Sequence, residues 1–307
     1  MAALLMLLLG LISLLVTAGV IFLWREAGER SARRKPQSRK LLRSPGESLR
    51  AELEELQWDL SACLAFTMLP LPLAIAVYIG AWLFAGAAPS ASTTIAIAGV
   101  AAAAHGWLAW KIGMLVTKRR LLKLAHEAEI SVGQELGELG RAGYRIFHDF
   151  PVEDAGFNID HIVVGPAGVF AVETKARARR SAEASWAVES DGRVLRFPGW
   201  EDDGTLRQAM AAAQWLGAWL TSAVGEKVKA EPLVVLPGWF VRRTAEGGVP
   251  VYALKEISRR FSQLRVEHPL SERLIRQIAH QLTERGREVA PTAYPAASTE
   301  RQGKRAA

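Results

Sequence analysis

Residues 158–175 read N-I-D-H-I-V-V-G-P-A-G-V-F-A-V-E-T-K, and this stretch decides the fold. Asn158–Val164 and Gly168–Glu173 are apolar, β-branched runs of strand length, separated by the turn residues Gly165-Pro166-Ala167. An aspartate inside I-D-H-I-V-V is disfavoured by strand propensity and by burial, so Asp160 calls for a chemical reason. Adjacent strands joined by a tight turn bring Asp160 and Glu173 side by side near one end of the sheet. Lys175 follows Glu173 by two residues and so shares its face. Two converging carboxylates suit a hard divalent ion such as Mg²⁺. A lysine beside them can orient a water or stabilise charge on a phosphate. As a bare pattern, carboxylate, carboxylate and lysine at this spacing are weakly specific, because charged residues at strand ends are usually solvated.

Working outward, apolar residues at helical spacing predict a helix over about 121–142, stopped by Gly143. Tyr144–Phe150 reads as a strand. Trp186–Ser190 and Arg193–Phe197 flank Asp191-Gly192, a hairpin signal. A helix is expected over about 205–222, a buried strand over 233–236, a short strand over 249–252 and a terminal helix over 271–285. The alternation predicts an α/β domain over 121–286. Residues 287–307 lack apolar periodicity and are expected to be disordered.

The N-terminal third is different. Residues 2–24 and 60–104 carry no charged side chain, and only Lys111 interrupts 92–117. Three segments, Ala2–Trp24, about 60–84 and about 93–116, have the length a bilayer core requires, roughly 20 residues. They predict a first transmembrane helix over 1–24, a basic loop over 25–57 and a helical hairpin over 58–117. Pro70 and Pro72 should kink the second span. Ala2–Trp24 resembles a signal peptide in position, but its positive charge follows the apolar run, which favours an anchor. The basic clusters Arg25–Arg43 and Lys118–Lys123 fit one topology, with the N-terminus outside and the domain in the cytoplasm, as in a bacterial inner membrane. His105 and Lys111 are expected to serve helix contact and snorkelling. The single cysteine, Cys63, excludes an intramolecular disulfide. The formal charge of +7 belongs to the membrane flanks, since residues 125–290 hold 21 basic and 23 acidic side chains. Global basicity therefore says nothing of nucleic-acid binding.

Five stretches resemble the nuclease-related domain, NERD, a relative of the PD-(D/E)xK restriction-endonuclease-like fold. They are E-A-E-I-S-V-G-Q-E-L (127–136), Y-R-I-F-H-D-F-P (144–151), the 158–175 block, L-R-Q-A (206–209) and V-V-L-P-G-W (234–239). The resemblance implies a mixed central sheet flanked by helices. It implies that Asp160 and Glu173 bind Mg²⁺, or Mn²⁺ in its place, and that Lys175 belongs to the same core. It further implies that Glu129 is the helix glutamate and that Gln208 approaches the site. Ala128 stands where the family has glycine before that glutamate, which leaves Glu135 as a rival to Glu129.

His148 and His161 are expected to be structural, there being no second nitrogen or sulfur ligand at a useful spacing. Arg177, Arg179 and Arg180 are candidates for phosphate contact or for a solvated loop. Trp200, Trp215, Trp219 and Trp239 are expected on core or helix faces. Two functions compete: Mg²⁺-dependent hydrolysis of cytoplasmic DNA or RNA, and a membrane-tethered binding module of the same fold without turnover. The domain's net charge of −2 leans toward the second. A channel or transporter role has little support in spans nearly free of charge.

Overall fold

The structure is a computed structural model, and it describes residues 19, 23, 40–152, 156–178, 186–264 and 269–289. The chain divides into two compact units, one holding 57–117 among its described residues and the other 40–56 with 118–289. The first expected span, apart from Gly19 and Leu23, and the basic residues 25–39 lie outside the described residues.

In the first unit the expected second span is two helices. α1 (Glu47–Phe66) ends before a turn at 67–69, and α2 (Pro70–Ala85) starts on its proline. Proline is tolerated in a first helical turn, where the lost N–H has no partner to lose, so a break replaces the expected kink. Gly86, at φ +65°, caps α2. α3 (Ala91–Gly137) joins the expected third span to the expected helix over 121–142, because no breaker separates them. Two of these helical stretches are long and apolar enough to cross a membrane by length and composition. Leu71, Leu73, Val77, Phe84, Val100 and Trp110 are exposed along them.

The second unit is built on a five-stranded mixed sheet. Its strands are β2 (Arg145–Val152), β3 (Phe157–Gly165), β4 (Gly168–Thr174), β8 (Ala230–Leu236) and β10 (Val251–Ala253), in the order β10-β8-β4-β3-β2. β2, β3 and β4 are antiparallel, while β4, β8 and β10 run parallel. Ile162, Val163 and Val164 are all fully buried, as a strand covered on both faces requires. One face packs Phe147, Ile162 and Ala171 against Leu216 and Leu220 of α4 (Gly204–Val224) and Ile278 and Leu282 of α6 (Glu272–Gly286). The other packs Val163, Phe170 and Val172 against Val132 and Leu136 of α3 and Ile257 and Phe261 of α5 (Ile257–Gln263).

A second sheet was not legible as such. It has the order β7-β6-β5-β9, with β5 (Ala187–Ser190), β6 (Leu195–Phe197), β7 (Trp200–Asp202) and β9 (Phe240–Arg243). β5 and β6 form the expected antiparallel pair around Asp191-Gly192.

Two expectations about domain ends change. The loop expected over 25–57 contributes residues 40–56 to the sheet unit. β1 (Leu41–Leu42) pairs with β11 (Arg287–Val289), where the tail was expected to begin. Such long-range pairing leaves no local periodicity to read.

Candidate active site

Glu173 is the penultimate residue of β4, buried, with Thr174 after it. The β3–β4 ladder ends at His161↔Val172, and one further step sets Asp160 opposite Glu173. The backbone N–H of Thr174 donates to Asp160 Oδ2 at 2.6 Å, which fixes that carboxylate against the end of β4. Gln208, on the first turns of α4, donates from Nε2 to Glu173 Oε2 at 3.1 Å. Lys175 Nζ donates to Glu173 Oε1 at 3.3 Å and to Gln208 Oε1 at 3.4 Å. Asp160, Glu173, Lys175 and Gln208 thus come together.

Glu129 joins them from α3. It is buried, and its Oε2 has no hydrogen-bond partner among the described residues. Burial, then the neighbouring charges of Asp149 and Glu173, push its carboxyl up to about 8. Burial and the charge of Glu173 push Asp160 well above the usual aspartate range, opposed by the Thr174 N–H. Burial also raises Glu173, with Lys175 pulling the other way. Glu173 raises the cost of ionising both Glu129 and Asp160, and all three carboxylates feel the Lys175 ammonium, with Arg177 also acting on Glu173. Glu135, the rival, instead accepts the Ser258 hydroxyl, so the geometry separates the two glutamates.

The donor set is oxygen-rich and under-neutralised, and one buried oxygen of Glu129 lacks a partner. That fits a hard divalent cation held by Asp160 and Glu173, with Glu129 near. Among the described residues no three His, Cys, Asp or Glu side chains form a ready-made metal cluster. The fit thus rests on two facing carboxylates.

Arg177 lies at one rim. It pairs with Asp202 at 2.6 Å, its guanidinium lies 5.6 Å from the Trp200 ring centroid, and its carbonyl accepts from Trp239 Nε1 at 3.0 Å. Trp200 stacks on Phe197 at 4.1 Å and Trp239 is core, so the small sheet holds the chain that leaves Lys175. Arg179 and Arg180 lie outside the described residues. Trp215 and Trp219 stack on each other on α4, beneath the Arg285 guanidinium.

Sequence reading missed two features. His148 and His161, expected to lack a second nitrogen nearby, face each other across β2 and β3 with Nδ1 atoms 2.9 Å apart. One ring donates and the other accepts, and burial pushes His148 down to about 4. Asp149 is the second. It is buried in the left-handed region at φ +46°, and it accepts Ser48 N–H at 2.6 Å, Ser48 Oγ at 2.8 Å and Asn158 Nδ2 at 2.8 Å. The H-D pair inside Y-R-I-F-H-D-F-P was the available signal, since a charged residue interrupts an apolar strand there.

A mixed sheet flanked by helices, with carboxylates and a lysine gathered where two central strands end, defines a nuclease-like α/β core. Residues 124–237, all within the sheet unit, match the family described as nuclease-related domain, NERD. No curated protein and no solved structure matches the chain.

Proposed function

We propose that this protein is a membrane-tethered, Mg²⁺-dependent nuclease that hydrolyses cytoplasmic DNA or RNA. The observation that carries the reading is the set of three carboxylates, Glu129, Asp160 and Glu173, gathered about a single lysine inside a nuclease-related domain. Asp160 and Glu173 would hold the ion, which supplies charge neutralisation at a phosphodiester and a more acidic bound water. Lys175, partly exposed and tethered to Glu173 and Gln208, is placed to orient the attacking water or meet the phosphate. Gln208 keeps the Glu173 carboxylate turned toward the lysine.

Anchoring is supported by the apolar surface of the helical unit. α2 is 16 residues, about 24 Å long, and needs the apolar end of α1 to match a hydrocarbon core of roughly 30 Å. Exposed leucines, valines and aromatics along α2 and α3 would be an aggregation hazard in water and an ordinary surface in lipid. The sheet unit takes in chain from both flanks of the hairpin, which supports a topology with both flanks on one side.

A binding module without turnover is favoured by one observation: both Glu173 oxygens already have donors, Lys175 and Gln208. The full-length protein in detergent, incubated with end-labelled DNA and RNA with and without Mg²⁺ or Mn²⁺, separates the readings. Metal-dependent cleavage that Glu173→Gln abolishes supports the nuclease; retention of labelled strands without cleavage supports the module.

A further inference from the structure

We propose that Arg43–Ser48, which lies outside the family-matched region and before the helical hairpin, is a positioning element of the candidate site that holds Glu129 in place for the Asp160–Glu173 pair. The inference rests on the metal reading above.

Three contacts on α3 support it, and β2 adds others. The Gly46 backbone N–H lies near the Glu129 carboxylate and favours its charged form, while Oε2 has no hydrogen-bond partner among the described residues. Gly46 can come this close because it has no side chain. At φ +67°, a Cβ there would stand 2.7 Å from His126 Cδ2. Gly133, one turn beyond Glu129, makes the matching concession: a Cβ on it would meet Pro45 Cγ at 2.6 Å. Pro45-Gly46 therefore lies in a seat on α3 formed by His126, Glu129 and Gly133.

The segment is tied at its far side to Asp149. Ser48 supplies two hydrogen bonds and Arg43 Nε lies 3.4 Å from Oδ2. Asp149 falls between the pairs His148↔His161 and Phe150↔Ile159, level with Asp160 on the neighbouring strand. Released from the segment, Asp149 would be a buried carboxylate beside Glu129 that keeps the Asn158 amide as its donor among the described residues. The segment thus quiets one charge next to the cluster while orienting another.

The test uses full-length protein in detergent and Mn²⁺ alone as probe, titrated by electron paramagnetic resonance. Arg43→Ala combined with Ser48→Ala should weaken Mn²⁺ binding about tenfold, in line with the loss of outer-shell partners at metal sites, and should change the line shape of the bound ion. Ser48→Thr, which keeps both donors, should bind as wild type does. In a Glu129→Gln background the double variant should cause no further loss, because its effect runs through Glu129. Equal losses in both backgrounds, or wild-type binding by the double variant, overturn the inference and leave the metal reading standing. A wild type that binds no Mn²⁺ overturns the metal reading and this inference with it. If thermal melts show the double variant unfolded, Ser48→Ala alone is judged by the same criteria.

Discussion

Ser48 and Asp149 are 101 residues apart in the chain, yet Ser48 N–H and Oγ donate to the two oxygens of one Asp149 carboxylate, at 2.6 and 2.8 Å. Hydrogen bonds to a charged acceptor each contribute about 1.5–3 kcal/mol, so Ser48→Ala should lower stability by roughly that amount. Asp149→Ala should cost more than Asp149→Asn by about 1 kcal/mol, because asparagine tolerates the left-handed backbone at φ +46° and alanine does not. Denaturant melts of the three variants check both orderings.

Glu173→Gln should leave the fold intact while removing the rise in melting temperature that saturating Mg²⁺ gives the wild type. Neutralising Glu173 relieves its repulsion of Asp160 and Glu129, against the weakened contact with Lys175. A ligand that binds only the native state raises its stability, so paired melts with and without Mg²⁺ isolate the site. If wild type and variant respond alike to Mg²⁺, Glu173 is no ligand.

Lys175→Ala divides binding from chemistry. Nζ touches Glu173 and Gln208, so the variant should keep the Mg²⁺-dependent rise in melting temperature. Cleavage should fall by about 100-fold or more, as when a charge-stabilising donor is removed. Full activity in this variant would remove the lysine from the mechanism.

Acidity offers a metal-free test. Glu129 titrates near 8 in the fold against about 4.5 in the unfolded chain, so the native state keeps a proton that the unfolded state has lost. Protein without metal should therefore lose stability as pH rises from about 4.5 to 8, by at most about 1.4 kcal/mol per pH unit from this group, and level off above. His148, pushed down to about 4, acts in the opposite sense, lowering stability as pH falls below about 6.5. Glu129→Gln should make the upper branch shallower, with Asp160 and Glu173 keeping a slope of the same sign, and leave the lower one. Melting temperature against pH for both proteins reads the difference.

Much of the sheet was legible because the central strands declare themselves. Ile162–Val164 and Val169–Val172 are apolar on both faces, and Gly165-Pro166-Ala167 admits little but a turn. The ladder then forces Asp160 and Glu173 together. Lys175 followed from the two-residue period of the strand, Gln208 was named on the family resemblance alone, and the geometry puts both on Glu173. The rest depends on pairings too distant for a periodic signal. β1 with β11, Pro45-Gly46 against α3, and His148 against His161 each join residues whose neighbours in sequence say nothing of the partner. The continuity of α3 was missed for another reason: a change from apolar to charged composition near Lys118 reads as a boundary, although no residue there breaks a helix.

The pairing of Leu41–Leu42 with Arg287–Val289 sets an order of events during synthesis. A ribosome adding roughly 5–20 residues each second makes Ser48 many seconds before β11 leaves the exit tunnel, and the apolar hairpin emerges in between. The early segment must wait, unpaired, while that hairpin finds its place. Only then do its two ends meet Asp149 and the last strand. Completion of the candidate site is thereby placed after the hairpin has been made, so a chain whose hairpin was misplaced would also be one whose carboxylate cluster stayed unassembled.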